Sequence, residues 1–166
     1  MRTAVALGSN LGDRLANLRA ARQAIVDLPA VRSPIRSSAV YETAPVDVEA
    51  NAQNFLNAVL EFEFDGEPNE LMAQLLAIEE SLGRKCEHAR NLSRTIDLDL
   101  LYHGESKIDR EGLQLPHPRL HLRRFVLQPL ADIRPELVLP NQTQSVRELL
   151  AQTADSAKVV RLMENW

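Results

Sequence analysis

The segment Arg94-Thr95-Ile96-Asp97-Leu98-Asp99-Leu100-Leu101 combines two carboxylates, an arginine and an alternating apolar run. Side chains on a strand alternate faces, so Asp97 and Asp99 point one way while Leu98 and Leu100 point into a core. Two residues of strand rise set the carboxylates roughly 6–7 Å apart along one face. That spacing suits a pair of divalent cations, which prefer hard oxygen ligands. Arg94, just upstream, can meet a phosphate that such metals hold. Metals that neutralise charge and a cation that binds the remainder are what phosphoryl-type transfer from a nucleotide requires. An isolated Asp-x-Asp also describes an edge strand with one wet face, and the spacing alone does not separate the two readings.

Other elements must position this pair. Thr3 to Leu7 reads as a first strand, stopped by Gly8-Ser9-Asn10. Leu15, Leu18, Ala21, Ile25 and Leu28 recur at helical spacing, predicting a helix from about Asp13 to Leu28, with Asn10 or Asp13 as cap and Pro29 as stop. A second strand is expected over Ile35 to Glu42 and a third over Phe55 to Phe64, ended by Asp65-Gly66. In the third, Leu56, Ala58, Leu60, Phe62 and Phe64 share one face, and Phe55, Asn57, Val59, Glu61 and Glu63 the other. Pro68 and Gly83 bound a second helix with Leu71, Leu75, Ile78 and Leu82 as its buried stripe. Residues 84–93 read as a basic loop before the acidic strand. A short hairpin between Gly104 and Gly112, a helix over Arg123 to Leu130, another near Val146 to Ala151 and a strand near Val159 to Leu162 complete the chain. The order β-α-β-β-α-β predicts an α+β, ferredoxin-like antiparallel sheet with packed helices and C-terminal additions.

The length of 166 residues fits one domain spanning the whole chain. The net charge of −4 argues against a general nucleic-acid binder, yet Arg84, Lys85, Arg90 and Arg94 cluster, as do Arg119, Arg123 and Arg124. Local basic patches on an acidic protein suit a small anionic ligand. The single cysteine, Cys86, excludes an internal disulfide. No apolar run approaches the ~20 residues of a membrane span. A cytoplasmic monomer without membrane or nucleic-acid partners is the expectation.

Seven segments in order resemble one enzyme family. They are Ala6-Leu7-Gly8-Ser9-Asn10-Leu11-Gly12-Asp13, Tyr41-Glu42-Thr43-Ala44-Pro45-Val46, Phe55-Leu56-Asn57-Ala58-Val59, Ile78-Glu79-Glu80-Ser81-Leu82-Gly83-Arg84, the acidic strand itself, Leu115-Pro116-His117-Pro118-Arg119, and Arg123-Arg124-Phe125-Val126-Leu127-Gln128-Pro129-Leu130. Together they look like 6-hydroxymethyl-7,8-dihydropterin pyrophosphokinase of the folate pathway. The resemblance implies transfer of the terminal pyrophosphate of ATP, the co-substrate, to the hydroxymethyl group of a reduced pterin, leaving AMP. It makes Asp97 and Asp99 the ligands of two Mg2+ ions, and Arg84 and Arg94 the loop arginines that engage phosphate. It sets Glu79, His117 and Arg123 on the ATP side with Arg84 and Arg94, and Thr43, Val46, Phe55, Asn57 and Phe125 on the pterin. A pterin is flat with an amide-like edge, which suits aromatic faces and a side-chain amide.

Four positions depart from the family pattern. Asn91 and Ser93 stand where a loop tryptophan and a proline are usual, Cys86 where a further arginine often occurs, and Ala44 where a proline does. A weakly active or specialised paralogue, acting on a modified pterin or serving as a pterin- or nucleotide-binding protein, is therefore the alternative reading. A ferredoxin-like nucleic-acid module would need exposed sheet aromatics and a basic sheet face; aromatic content of 4% and the negative charge oppose it. Gly8 to Asp13 lacks the Lys-Ser/Thr of a P-loop. Restoring the aromatic with Asn91→Trp should tighten dihydropterin binding by about fivefold, the equivalent of one stacking contact. Calorimetric titration checks this, and an unchanged affinity would show that the missing aromatic is not limiting.

Overall fold

The computed structural model describes residues 1–44, 53–83 and 93–166. Within these, β1 (Arg2–Ser9) leads to α1 (Arg14–Val26), then β2 (Val31–Ser37), β3 (Val40–Thr43) and β4 (Phe55–Phe64). Helix α2 (Pro68–Ser81) precedes β5 (Asp97–His103), the hairpin β6 (Ile108–Arg110) and β7 (Leu113–Leu115), α3 (Arg124–Ile133), α4 (Val146–Gln152) and β8 (Val159–Met163). The main sheet runs β5-β1-β4-β3-β8, with β2 also paired to β4, and its pairings are antiparallel. This is the predicted ferredoxin-like α+β order, with the acidic strand at the sheet edge.

The local signals hold where they are strongest. Strand β4 has the predicted bounds, and its Leu56, Ala58, Leu60, Phe62 and Phe64 join one core with Leu18, Ala21 and Ile25 of α1 and Leu71, Leu75 and Ile78 of α2. Of the two candidate caps, Asp13 closes α1, its Oδ1 accepting the Ala16 N–H at 3.0 Å. The helix stops at Val26 rather than Leu28 because Pro29 restricts the residue before it. Gly83 lies two residues beyond α2 with a φ of +91°, as the stop requires.

One expectation is corrected. Residues 35–42 are not one strand: β2 starts earlier, at Val31, and ends at Ser37, and β3 begins at Val40. Pro34 cannot donate to a ladder, and the β2–β4 register shifts between Arg32 and Arg36. The break is built by Ser38. Its N–H donates to Val59 O at 2.9 Å, while its hydroxyl accepts the Val59 N–H at 2.9 Å and donates to Ala39 O at 2.7 Å. The serine thereby satisfies the ladder groups of Val59 with one residue, and the chain steps sideways.

The opposite sheet face holds a second core, where Ala4, Val59, Leu101 and Tyr102 pack against Leu120, Val126, Leu127 and Leu130 and against Val146 and Leu149 of α4. A charged cluster crosses it. Glu61, 2% exposed, accepts the Tyr102 hydroxyl at 2.6 Å and the Arg134 Nε–H at 2.8 Å. Ala4 lies between Glu61 and Tyr102 across three strands, small enough for the phenol to pass over it. The Glu61 hydrogen bond raises the Arg134 pKa, while burial first and Glu61 second raise that of Tyr102. A buried carboxylate is tolerated when paired and is strongly destabilising when stripped of its cation. Arg134→Met should therefore lower unfolding stability by about 3 kcal/mol in a denaturant titration; a change no larger than a surface substitution would contradict this account of Glu61.

Candidate active site

Cross-strand register, more than any loop, sets the cleft. Gly8 of β1 pairs with Asn57 on one side and Asp97 on the other; two residues earlier, Ala6 pairs with Val59 and Asp99. Period-2 alternation puts Asn57, Asp97 and Asp99 on the same sheet face as α3, because Leu98 and Leu100 are buried in the opposite core. The central strand contributes Ala6 and Gly8 to that face, so a trough runs between the amide of β4 and the acids of β5.

The cleft over this trough has a volume of about 1220 Å3. Of the residues singled out in the sequence, Thr43, Phe55, Asn57 and Phe125 line it, and so do Arg94, Asp97, Asp99, His117 and Arg123. Val46 and Arg84 lie outside the described residues, as do Cys86 and Asn91. Glu79 is not among the lining side chains. It is 2% exposed, and its Oε1 accepts the Leu98 N–H at 2.6 Å, pinning the residue between the two aspartates.

Polar partners fix the walls. Asn57 Nδ2 donates to Thr43 Oγ1 at 2.8 Å, and both are buried. Arg94 Nη1 donates to Asp97 Oδ1 at 2.7 Å. The base of Arg94 is clamped by the turn after β1: Asn10 Oδ1 accepts the Arg94 N–H at 2.6 Å, the Asn10 N–H donates to Arg94 O at 3.1 Å, and the Ser9 hydroxyl donates to Thr95 O at 2.6 Å. Arg123 stands 3.7 Å from Asp99 and 5.4 Å from the centre of the Phe125 ring. His117 Nδ1 accepts the Arg119 N–H at 3.2 Å, which in the neutral ring leaves the proton on Nε2.

The electrostatics follow from crowding. Burial, then repulsion from Asp97, pushes the Asp99 carboxyl above its ordinary range, against the pull of His117, Arg123 and Arg119. Burial lowers the His117 pKa, with Asp99 opposing and Arg123 and Arg119 assisting. Two neighbouring carboxylates that resist joint ionisation are a place where a divalent cation relieves repulsion. Among the described residues no group of three or more His, Cys, Asp and Glu side chains is arranged to hold a metal. A cation here would draw its remaining ligands from water and from a bound ligand.

Sequence reasoning missed several lining residues. Asp109 to Gln114 of the hairpin form one wall, and Asp155 and Ala157 reach in from the tail. The hairpin was legible as an element, but nothing local marked it as a wall. For Asp155 no sequence signal existed.

The sheet order and the acid-and-arginine cleft define an α+β enzyme built around a small-molecule site. The model of the 7,8-dihydro-6-hydroxymethylpterin-pyrophosphokinase (HPPK) family matches residues 4–135, and the chain belongs to that family. It is 37% identical over 158 residues to the 2-amino-4-hydroxy-6-hydroxymethyldihydropteridine pyrophosphokinase of Haemophilus influenzae, covering 95% of this chain and 96% of that one. It is 44% identical over 129 residues to the Bacillus subtilis protein of the same name, covering 78% and 75%. Among solved structures, the wild-type HPPK-DHPS of Plasmodium falciparum with pterin and p-hydroxybenzoate shares the fold, with a TM-score of 0.69 at 15% identity. That match covers 91% of this chain, which spans 42% of the Plasmodium chain.

The trough makes Gly8 testable. A Cβ there would lie 3.4 Å from Asn57 Oδ1 and 3.9 Å from both Asp97 Cβ and Phe55 Cδ1. Gly8→Ala should be tolerated, whereas the branched side chain of Gly8→Val fills the floor and should weaken binding of a soluble pterin probe by at least about tenfold. Fluorescence titration of both variants checks this; equal affinities would show that the floor is not part of the binding surface.

Proposed function

We propose that the chain transfers the terminal diphosphate of ATP to the hydroxymethyl group of 6-hydroxymethyl-7,8-dihydropterin, giving the pterin diphosphate and AMP in folate biosynthesis. The observation that carries this reading is the cross-strand row Asn57–Gly8–Asp97. It sets an amide suited to a pterin edge beside an acid suited to a metal–phosphate group, in one cleft. Membership of the family supports the same substrates.

In this reading Asn57 pairs with the pterin amide edge, Phe55 and Phe125 bracket its ring, and Thr43 holds the Asn57 amide in place. The same reading assigns Val46 to pterin binding. Arg94, Arg123 and Arg84 bind phosphate oxygens, and the Nε2–H of His117 supplies a neutral donor beside them. Glu79 acts on the ATP side by fixing the strand that carries the acids. Asp97 and Asp99 would hold two Mg2+ ions; a pair of carboxylates without a full protein cage fits Mg2+, which binds through one or two carboxylates plus substrate phosphates. When bound, the metal neutralises charge on the triphosphate. The pterin hydroxyl oxygen forms a bond to the β-phosphorus, the bridge between the α- and β-phosphates breaks towards AMP, and the hydroxyl proton is released. Arg84 and Arg94 keep the reacting oxygen and the leaving group in line, while Arg123 holds ATP in the ground state, so the protein acts by positioning and charge compensation. The same reading makes residues 1–166 a single pyrophosphokinase domain, monomeric and cytoplasmic, without nucleic-acid or membrane partners. Among the described residues no helix is long and apolar enough to cross a membrane.

Purified chain with ATP and Mg2+ should yield AMP only when the dihydropterin is added, together with a product of the mass of the pterin diphosphate. Asp97→Asn should lower turnover by at least about a hundredfold while the melting temperature stays near that of the parent. AMP formation independent of pterin would refute the substrate, and near-normal turnover in Asp97→Asn would refute the ligand assignment.

A further inference from the structure

Helix α3 carries two cleft residues at its start, yet it does not cap itself. Its N-cap is Arg123, whose side chain makes no hydrogen bond to the helix N–H groups. A helix start leaves such donors without intrahelical partners. One of them is met from 31 residues away: the Arg124 N–H donates to Asp155 Oδ2 at 2.8 Å. The other carboxylate oxygen, Oδ1, accepts the Ala157 N–H at 2.9 Å, and the Asp155 N–H donates to Thr153 Oγ1 at 3.3 Å. Asp155 is therefore held in its own turn with its charge at the positive end of α3, where an anion is favourable.

The first turn of α3 presents Arg123 to Asp99 and Phe125 to the ring side of the cleft. Asp155 and Ala157 line the same cleft. Two residues past Ala157, β8 begins and pairs Val159 with Thr43, on the other wall. The segment 155–159 thus bridges the α3 wall and the β3 wall. It lies beyond residue 135, where the family match ends.

We propose that Asp155 is a positioning residue for this site: it holds the first turn of α3 so that Arg123 and Phe125 stay over the acid pair and the ring pocket. The proposal rests on the pyrophosphokinase reading of the cleft. Asp155 acts through the Arg124 backbone, so its loss frays the helix start and loosens both side chains. Ground-state binding of both substrates then weakens while the chemical step, set by the acids, Arg84 and Arg94, changes little.

The test compares the full chain with Asp155→Ala and Asp155→Asn, the latter keeping an oxygen for the Arg124 N–H. In Asp155→Ala the KM values for ATP and the dihydropterin should each rise about fivefold, as for loss of one helix cap, with kcat within about twofold. Asp155→Asn should recover most of the affinity. Amide hydrogen exchange should quicken in Asp155→Ala at Arg124 and Phe125, a readout that needs no turnover. A lowered melting temperature with unchanged KM values would mean a structural cap only and would overturn the proposal, as would unchanged exchange at Arg124. A parent protein that makes no AMP would instead defeat the pyrophosphokinase reading, with the exchange result still deciding whether Asp155 holds the turn.

Discussion

The small side chains on one face of β1 are the constraint on which the site depends. Ala4, Ala6 and Gly8 follow the strand's two-residue period, and each separates a side chain of β4 from one of β5: Glu61 from Tyr102, Val59 from Asp99, Asn57 from Asp97. A large residue at Ala6 or Gly8 would fill the trough, and one at Ala4 would part Glu61 from Tyr102. At Ala4 the gap is closed by a hydrogen bond passing over it. At Gly8 it stays open and becomes the floor of the cleft. The same strand is therefore packed at one end and receptive at the other, and the difference lies in what its neighbours carry.

The acids of β5 owe their aim to burial on the other side of the strand. Leu98 and Leu100, each 3% exposed, commit one face to the core and leave Asp97 and Asp99 no alternative direction. An edge strand also has outward backbone groups without sheet partners. Glu79 takes one of them, the Leu98 N–H, at 2.6 Å. It ties α2 to the acid pair without using either acid.

Two long-range clamps complete the rigid part. The turn after β1 grips the backbone of Arg94 through Asn10, which is 1% exposed and engages both the N–H and the carbonyl of that residue. The tail grips the start of α3 through Asp155. The arginine Arg94 is thus registered to the sheet, and Arg123 to the C-terminal segment. Charge compensation for the acids arrives from two independent directions, which lets a dense group of like and unlike charges share one cleft.

The sequence by itself determined the elements whose causes are local. Alternation defined β4 from Phe55 to Phe64 and the facing of Asp97 and Asp99, and Pro68 and Gly83 bounded α2. Motif order across seven segments identified most of the cleft. What only the tertiary structure decided involves partners distant in sequence. The step between β2 and β3 exists because Ser38 satisfies Val59, 21 residues on. Ala6 and Gly8 matter because of what pairs beside them, and Asp155 because a helix start 31 residues earlier lacks a cap. Periodicity and turn chemistry act over a few residues and can be read along the chain. Register and capping across the fold depend on which surfaces meet, and no single stretch of sequence carries that information.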